Sequence, residues 1–201
     1  MSTGYSGDGK AVRGNYNVYP EQAAAGLWAN PTDLAKFIID IQLSLQGKSN
    51  KVLDTAFAGK FVTPVAPGAA LGNFIIQNKD TRYFNHGGAN EGFRCVYYGS
   101  IEDGNGVVIR LNSDNGRMLD EIANSVSIVY KWKDFYNPIV RSAVAVPLDI
   151  LKTYEGDYDI MGNTLTIRIA GQPMLIVNKR EFYPIYFSSQ EDFFQPIFLS
   201  I

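Results

Sequence analysis

The chain's one His, His86, stands in the stretch Phe84-Asn85-His86-Gly87-Gly88-Ala89-Asn90-Glu91-Gly92-Phe93. An imidazole can donate a hydrogen bond or shuttle a proton near neutral pH. The two glycines after it let a backbone approach a ligand closely and leave amide N–H groups free to point outward. Taken alone, His-Gly-Gly is also what a hairpin with a partly exposed His looks like. Cys95 sits mid-strand between Arg94 and Val96. Its type and place fit a small buried residue better than a nucleophile. Asn90 and Glu91 read as a solvated turn beside the glycines. Tyr97 and Tyr98 must point to opposite faces of a strand, so at most one of them lines a site. Trp28 and Trp132 fit packing roles.

The elements that position this stretch are legible on both sides. Residues 1–30 are rich in Gly, Asn and Tyr and read as an irregular lead-in. Asn30 then caps a helix, with Pro31 at its first position and Asp33 in its first turn. Leu34, Phe37, Ile38, Ile41 and Leu45 form one apolar stripe, and Gly47 stops the helix. A short helical stretch follows over Leu53–Phe61. Strand character marks Leu71–Gln77, Arg82–Asn85, Phe93–Ser100 and Gly106–Asn112, so His86 is expected where a strand ends. Asp103-Gly104-Asn105-Gly106 is a hairpin signal between the last two. A second helix is expected over Met118–Lys133, giving an α+β layer architecture for residues 1–137: an antiparallel sheet flanked by helices. Asn137–Pro147 reads as a linker (138–147 between the two parts). Residues 148–201 read as a small antiparallel β module, with strands Tyr154–Ile160, Thr164–Ala170, Met174–Asn178, Phe182–Ser188 and Phe193–Ile201.

Composition sets limits. The 201 residues carry 18 basic and 20 acidic side chains, which argues against a general nucleic-acid surface. One Cys and one His exclude a disulfide framework and a structural zinc site of the usual kind. No apolar run approaches the ~20 residues that span a bilayer. The opening MSTGYSGDGK holds no apolar h-region.

Several pieces, in order, resemble the C-terminal part of the serine β-lactamase and penicillin-binding-protein-like hydrolase family, closest to its class C-like esterase and peptidase branch. Tyr19–Trp28 and Pro31-Thr32-Asp33-Leu34-Ala35 look like the family's entry into a late helix. His86-Gly87-Gly88 looks like the variant of its Lys-Thr-Gly motif on the strand lining the cleft. Gly106–Ile109 through Gly116 looks like the last sheet strand and its exit, and the helix from Met118 like the C-terminal helix. The resemblance covers residues 4–135. The 148–201 module resembles, through Tyr154-x-Gly156-x-Tyr158, the lipocalin-like domain appended to such hydrolases.

The resemblance implies roles. His86, in place of the motif Lys, would hold a substrate carboxylate or stabilise transition-state charge. Gly87 and Gly88 would permit close approach, and the outward Ala89 N–H would be the oxyanion donor. A small amide or ester is the implied substrate of an intact parent, with no cofactor, metal, nucleic acid or membrane span. The departures are as informative. The family's nucleophile lies in Ser-x-x-Lys, and no Ser here has Lys three residues on. Its Tyr-x-Asn or Ser-x-Asn relay is expected to be missing too, since Tyr16 is followed by Asn17-Val18. Oxyanion donors without a nucleophile leave only residual catalysis. The chain is therefore expected to be a truncated member, inactive alone. A partner- or ligand-binding module keeping half a cleft, and an unrelated β-rich protein, are the alternatives. Absent neighbouring strands would leave Gly106–Asn112 as an apolar edge open to homo-oligomer pairing.

Overall fold

The computed structural model describes residues 2–138, 140–177 and 181–194. The chain divides into two compact units, Met1–Asn137 and Pro138–Ile201. In the first unit the lead-in carries a bridge between Tyr5 and Ala11 and a four-residue helix α1, Gln22–Ala25. Helix α2 spans Pro31–Leu45, and the Asn30 side chain accepts from the Asp33 N–H at 2.8 Å. That bond satisfies one of the amides a helix start leaves without an internal partner. Helix α3, Thr55–Phe61, is capped the same way by Asp54.

Four antiparallel strands follow: β1 Phe74–Asn78, β2 Thr81–Asn90, β3 Phe93–Ser100 and β4 Gly106–Leu111. They pair in chain order, β1-β2-β3-β4. Helix α4, Arg117–Val129, closes the unit. The sheet buries both faces, because successive side chains alternate across it. On one face Ile75, Phe84 and Tyr97 pack on Ile38 and Ile41 of α2 and on Val62 just after α3. On the other, Val96 and Ile109 pack on Leu119, Ile122 and Ala123 of α4. Gln42 ties α2 to the β3–β4 turn, its Nε2 donating to Ser100 O at 2.9 Å and Asn105 O at 2.8 Å. The α+β layer architecture expected from the sequence is what forms.

Three of the boundaries that differ from expectation bear on the packing or the site. β1 starts three residues late, because Gly72 takes a left-handed φ of +80° and Asn73 turns to donate to Phe61 O. α4 ends at Val129 rather than Lys133. Lys131 at φ +54° breaks the helix, which lets Trp132 stack on Tyr83 at 5.9 Å. The third concerns the candidate site. β2 does not end before His86 but runs on to Asn90, carried by its pairing with β3.

The second unit holds α5 Leu148–Thr153 and a four-stranded antiparallel meander. Its strands are β5 Gly156–Ile160, β6 Asn163–Ala170, β7 Gln172–Val177 and β8 Glu181–Pro184. β9 Tyr186–Phe187 pairs with β10 Phe193–Phe194. Ile167, Ile185 and Phe187 form its core with Val146 and Leu151. The stretch read as a linker is in part built into this unit, since Val144 N–H donates to Phe187 O at 2.8 Å. Residues 178 and 195–201 of the expected strands lie outside the described residues. Among the described residues no helix is long and apolar enough to cross a membrane.

Candidate functional site

β1 reaches only as far as Phe74, which faces Asn85. Beyond that pair, among the described residues, β2 has β3 on one side and no strand on the other. The backbone groups of residues 86–90 therefore divide between a paired and an open side. In an antiparallel ladder alternate residues bond to the same neighbour. The two-residue turns Lys79-Asp80 and Glu91-Gly92 set the phase. They make Asn78↔Thr81 and Asn90↔Phe93 the closing, mutually bonded pairs. The chain beyond β3 agrees, because Ile101 N–H donates to Arg82 O at 3.0 Å. So Arg82, Phe84, His86, Gly88 and Asn90 bond toward β3, and Gly87 and Ala89 turn their N–H and C=O to the open edge.

The side chains alternate the other way. His86, Gly88 and Asn90 share a face with Phe84, the face that α2 covers further along. His86 is exposed and stacks on the Phe74 ring at 5.8 Å and 25°. Gly87, Gly88 and Ala89 are exposed as well. Gly88 lies opposite Cys95. A Cβ at Gly88 would come within 2.9 Å of the Cys95 Sγ, so the thiol lies under the glycine. Cys95 is half-buried. His86 and Cys95 are diagonal neighbours, about 7–8 Å apart by strand geometry. The imidazole stacks on Phe74.

The hairpin tip is held from several directions. The Arg94 guanidinium pairs with the Asp114 carboxylate at 2.7 Å and donates to Asn90 O and Phe93 O. The Gly92 N–H donates to the same carboxylate at 3.0 Å. Gly92 has φ +74°, and a Cβ there would strike Val12 and Gly4, so the turn needs glycine. The lead-in supplies the rest. The Asn17 amide donates to Glu91, and the Glu91 N–H donates to Tyr19 Oη at 3.1 Å. The Asn90 amide donates to Ala25 O at 3.0 Å. Asn90 and Glu91, read from the sequence as a solvated turn, are thus both tied to the lead-in. Tyr97 and Tyr98 do face opposite ways: Tyr97 packs with the α2 cluster and Tyr98 with the α4 cluster. Burial pushes the Tyr97 hydroxyl up to about 12 and also raises Tyr98.

The relay spacing expected to be missing is present in two stretches. Tyr83-Phe84-Asn85 is a formal Tyr-x-Asn, and Ser113-Asp114-Asn115 a formal Ser-x-Asn. Tyr83 is fully buried, donates to Lys133 O at 2.7 Å, and is pushed up to about 12, chiefly by burial. It is a core residue and cannot serve as a base at neutral pH. Ser113 accepts from the Asn115 N–H in the exit from β4, and Asp114 is committed to Arg94 and Gly92. Neither stretch takes the role its spacing names. Among the described residues no group of three His, Cys, Asp or Glu could hold a metal ion.

The arrangement is an exposed strand edge with two outward N–H donors, a glycine floor and an exposed imidazole beside it. It can pair with an extended amide and donate to a carbonyl or an oxyanion.

Among solved structures the chain is similar to the crystal structure of SurE with D-Leu, at 17% identity and TM-score 0.45, over 82% of this chain and 41% of that one. It is also similar to the octameric penicillin-binding protein homologue from Pyrococcus abyssi, at 17% identity and TM-score 0.47, over 92% and 43%. The chain thus spans less than half the length of those proteins. No curated protein matches it. The family model described as Beta-lactamase matches residues 2–127, well over half of the chain. On that match, the chain belongs to the β-lactamase family.

Proposed function

We propose that this chain supplies the substrate-binding strand of a β-lactamase-like serine hydrolase and binds an extended amide or ester along the open edge of β2. The observation that carries this reading is the phase of the ladder, which turns the Gly87 and Ala89 N–H groups outward. The Ala89 N–H acts as the oxyanion donor, held rigid by the strand. Gly87 and Gly88 let the substrate backbone approach. His86 donates to a substrate carboxylate or to charge that develops as the acyl group transfers. In an intact enzyme a serine Oγ attacks the carbonyl carbon, the leaving amine or alcohol departs, and water cleaves the resulting ester. Here no Ser precedes a Lys by three residues, so that nucleophile has to come from outside these 201 residues. By itself the chain is inactive, and the second unit is an appended lipocalin-like β module.

A chromogenic β-lactam, a p-nitrophenyl ester and a fluorescent penicillin test the reading. The expected result is no hydrolysis above background and no covalent label. Stoichiometric labelling of any Ser would overturn it. The second reading, a non-catalytic binding module, rests on the edge being complete without a nucleophile. It predicts that the chain captures an extended ligand as tightly alone as when a nucleophile-bearing half is added.

A further inference from the structure

The lead-in between Tyr16 and Ala29 has almost no regular structure, yet its backbone is pinned to the sheet. Asn90 donates to Ala25 O, and Arg110 donates to Ala29 O and, at 3.4 Å, to Leu27 O. Arg110 lies opposite Cys95. The bonds therefore cross the same face that holds His86, Gly88 and Cys95. Pinning a backbone usually accompanies burial of the side chains beside it. Here Leu27 stays 69% exposed and Trp28 43% exposed. The Trp28 ring meets Phe93 edge-on at 5.4 Å and Tyr16 at 5.1 Å. Phe93 is next to Cys95 on that face of β3. An aromatic wall thus stands beside a floor made of Gly88 and the Cys95 thiol, with no Cβ rising from the glycine.

We propose that Leu27 and Trp28 form a side-chain subsite that selects a bulky apolar or aromatic group on the ligand. The proposal rests on the reading of the β2 edge as the ligand's pairing site. A strand added to that edge places the residue opposite Gly88 on the Cys95 face, because directly opposed residues share a face. That side chain meets no Cβ at Gly88, only the Cys95 Sγ beside it, and extends across the thiol toward Phe93 and Trp28. Edge-to-face contact with fixed aromatic rings then rewards an aromatic side chain beyond the area it buries.

The test is an amide NMR titration of the full chain with N-acetyl-Ala-X-Ala-amide, where X is Gly, Leu or Phe. All three peptides should shift the Gly87 and Ala89 amides. Only the Leu and Phe peptides should shift the Trp28 indole N–H. The Phe peptide should bind about tenfold more tightly than the Gly peptide. Trp28→Ala should bring that ratio close to one while leaving the Gly peptide's affinity unchanged, and Trp28→Phe should keep most of it. If the Gly87 and Ala89 amides shift but the ratio survives Trp28→Ala, the subsite is wrong and the edge reading stands. If no peptide moves those amides, the edge reading fails and the subsite fails with it.

Discussion

Gly88 and Cys95 face each other across the β2–β3 ladder, and the thiol occupies the space a side chain at Gly88 would need: a Cβ there would lie 2.9 Å from Sγ. One residue earlier the situation differs, since a Cβ at Gly87 would meet nothing nearer than Cys95 O at 3.5 Å. Gly88→Ala should therefore destabilise the first unit by about 1–3 kcal/mol through overpacking. Gly87→Ala should be neutral or gain a few tenths of a kcal/mol, because glycine loses most entropy in a strand. Cys95→Ala should relieve the Gly88→Ala cost, with a coupling of about 1 kcal/mol in a double-mutant cycle by urea denaturation. Additive losses would show that the thiol is not the obstacle.

Stability should fall in strong alkali. Tyr83 and Tyr97 are raised from 10.0 to about 12, Tyr83 by burial first and then by Asp103, Asp134 and Glu102. A phenol whose folded pKa is raised binds its proton more tightly folded than unfolded, so its contribution is complete below pH 10. It is lost as pH rises from 10 to about 12. Denaturant midpoints measured across that window should drop, and Tyr83→Phe should flatten the drop. That variant also loses the bond to Lys133 O, at a cost of about 1 kcal/mol at neutral pH. A flat profile in the parent would contradict the burial argument.

The start of the second unit should be cut first in limited trypsin digestion, at Arg141. Val140 beside it is 90% exposed, whereas Val144 is already bonded to Phe187. Mass spectrometry of the first products identifies the site. Earlier cleavage within residues 74–111 would count against two separately folded parts.

The outer edge of β4 should drive self-association. Val107, Ile109 and Leu111 bond toward β3, which turns the backbone groups of Gly106, Val108 and Arg110 outward. Among the described residues the lead-in covers only the end of this edge, where the Tyr5 N–H donates to Asn112 O at 3.1 Å and the Tyr5 carbonyl accepts from the Asp114 N–H at 2.9 Å. Open edges template pairing. Sedimentation at micromolar concentration should show concentration-dependent association. A monomer whose Val108 and Arg110 amides exchange slowly would mean that the chain covers its own edge.

How much of this was readable in the residues varies by element. Helix α2 was, because its cap, first-turn proline and stop are local and its apolar stripe recurs at helical spacing. So were β3, whose bounds match the alternating run Phe93–Ser100, and the tight hairpin into β4. The length of β2 was not. Gly87 and Gly88 have no intrinsic strand preference, and their conformation comes from Val96 and Cys95 across the ladder.

His86-Gly87-Gly88 could be picked out as a sequence signal and its family resemblance stated, since those are matters of residue type and order. Which N–H groups point outward is decided by register, which comes from pairing across the Lys79-Asp80 and Glu91-Gly92 turns and not from the residue types of the stretch itself. The same reason separates Tyr83-Phe84-Asn85 from a working relay. The spacing is local, but burial of Tyr83 against Trp132 and Phe135 is tertiary. The lead-in shows the limit most clearly. Its Gly- and Asn-rich composition carries no period, so nothing local predicts that Asn17, Tyr19 and Ala25 bond to Glu91 and Asn90. Those contacts exist only once the sheet presents the hairpin tip to them.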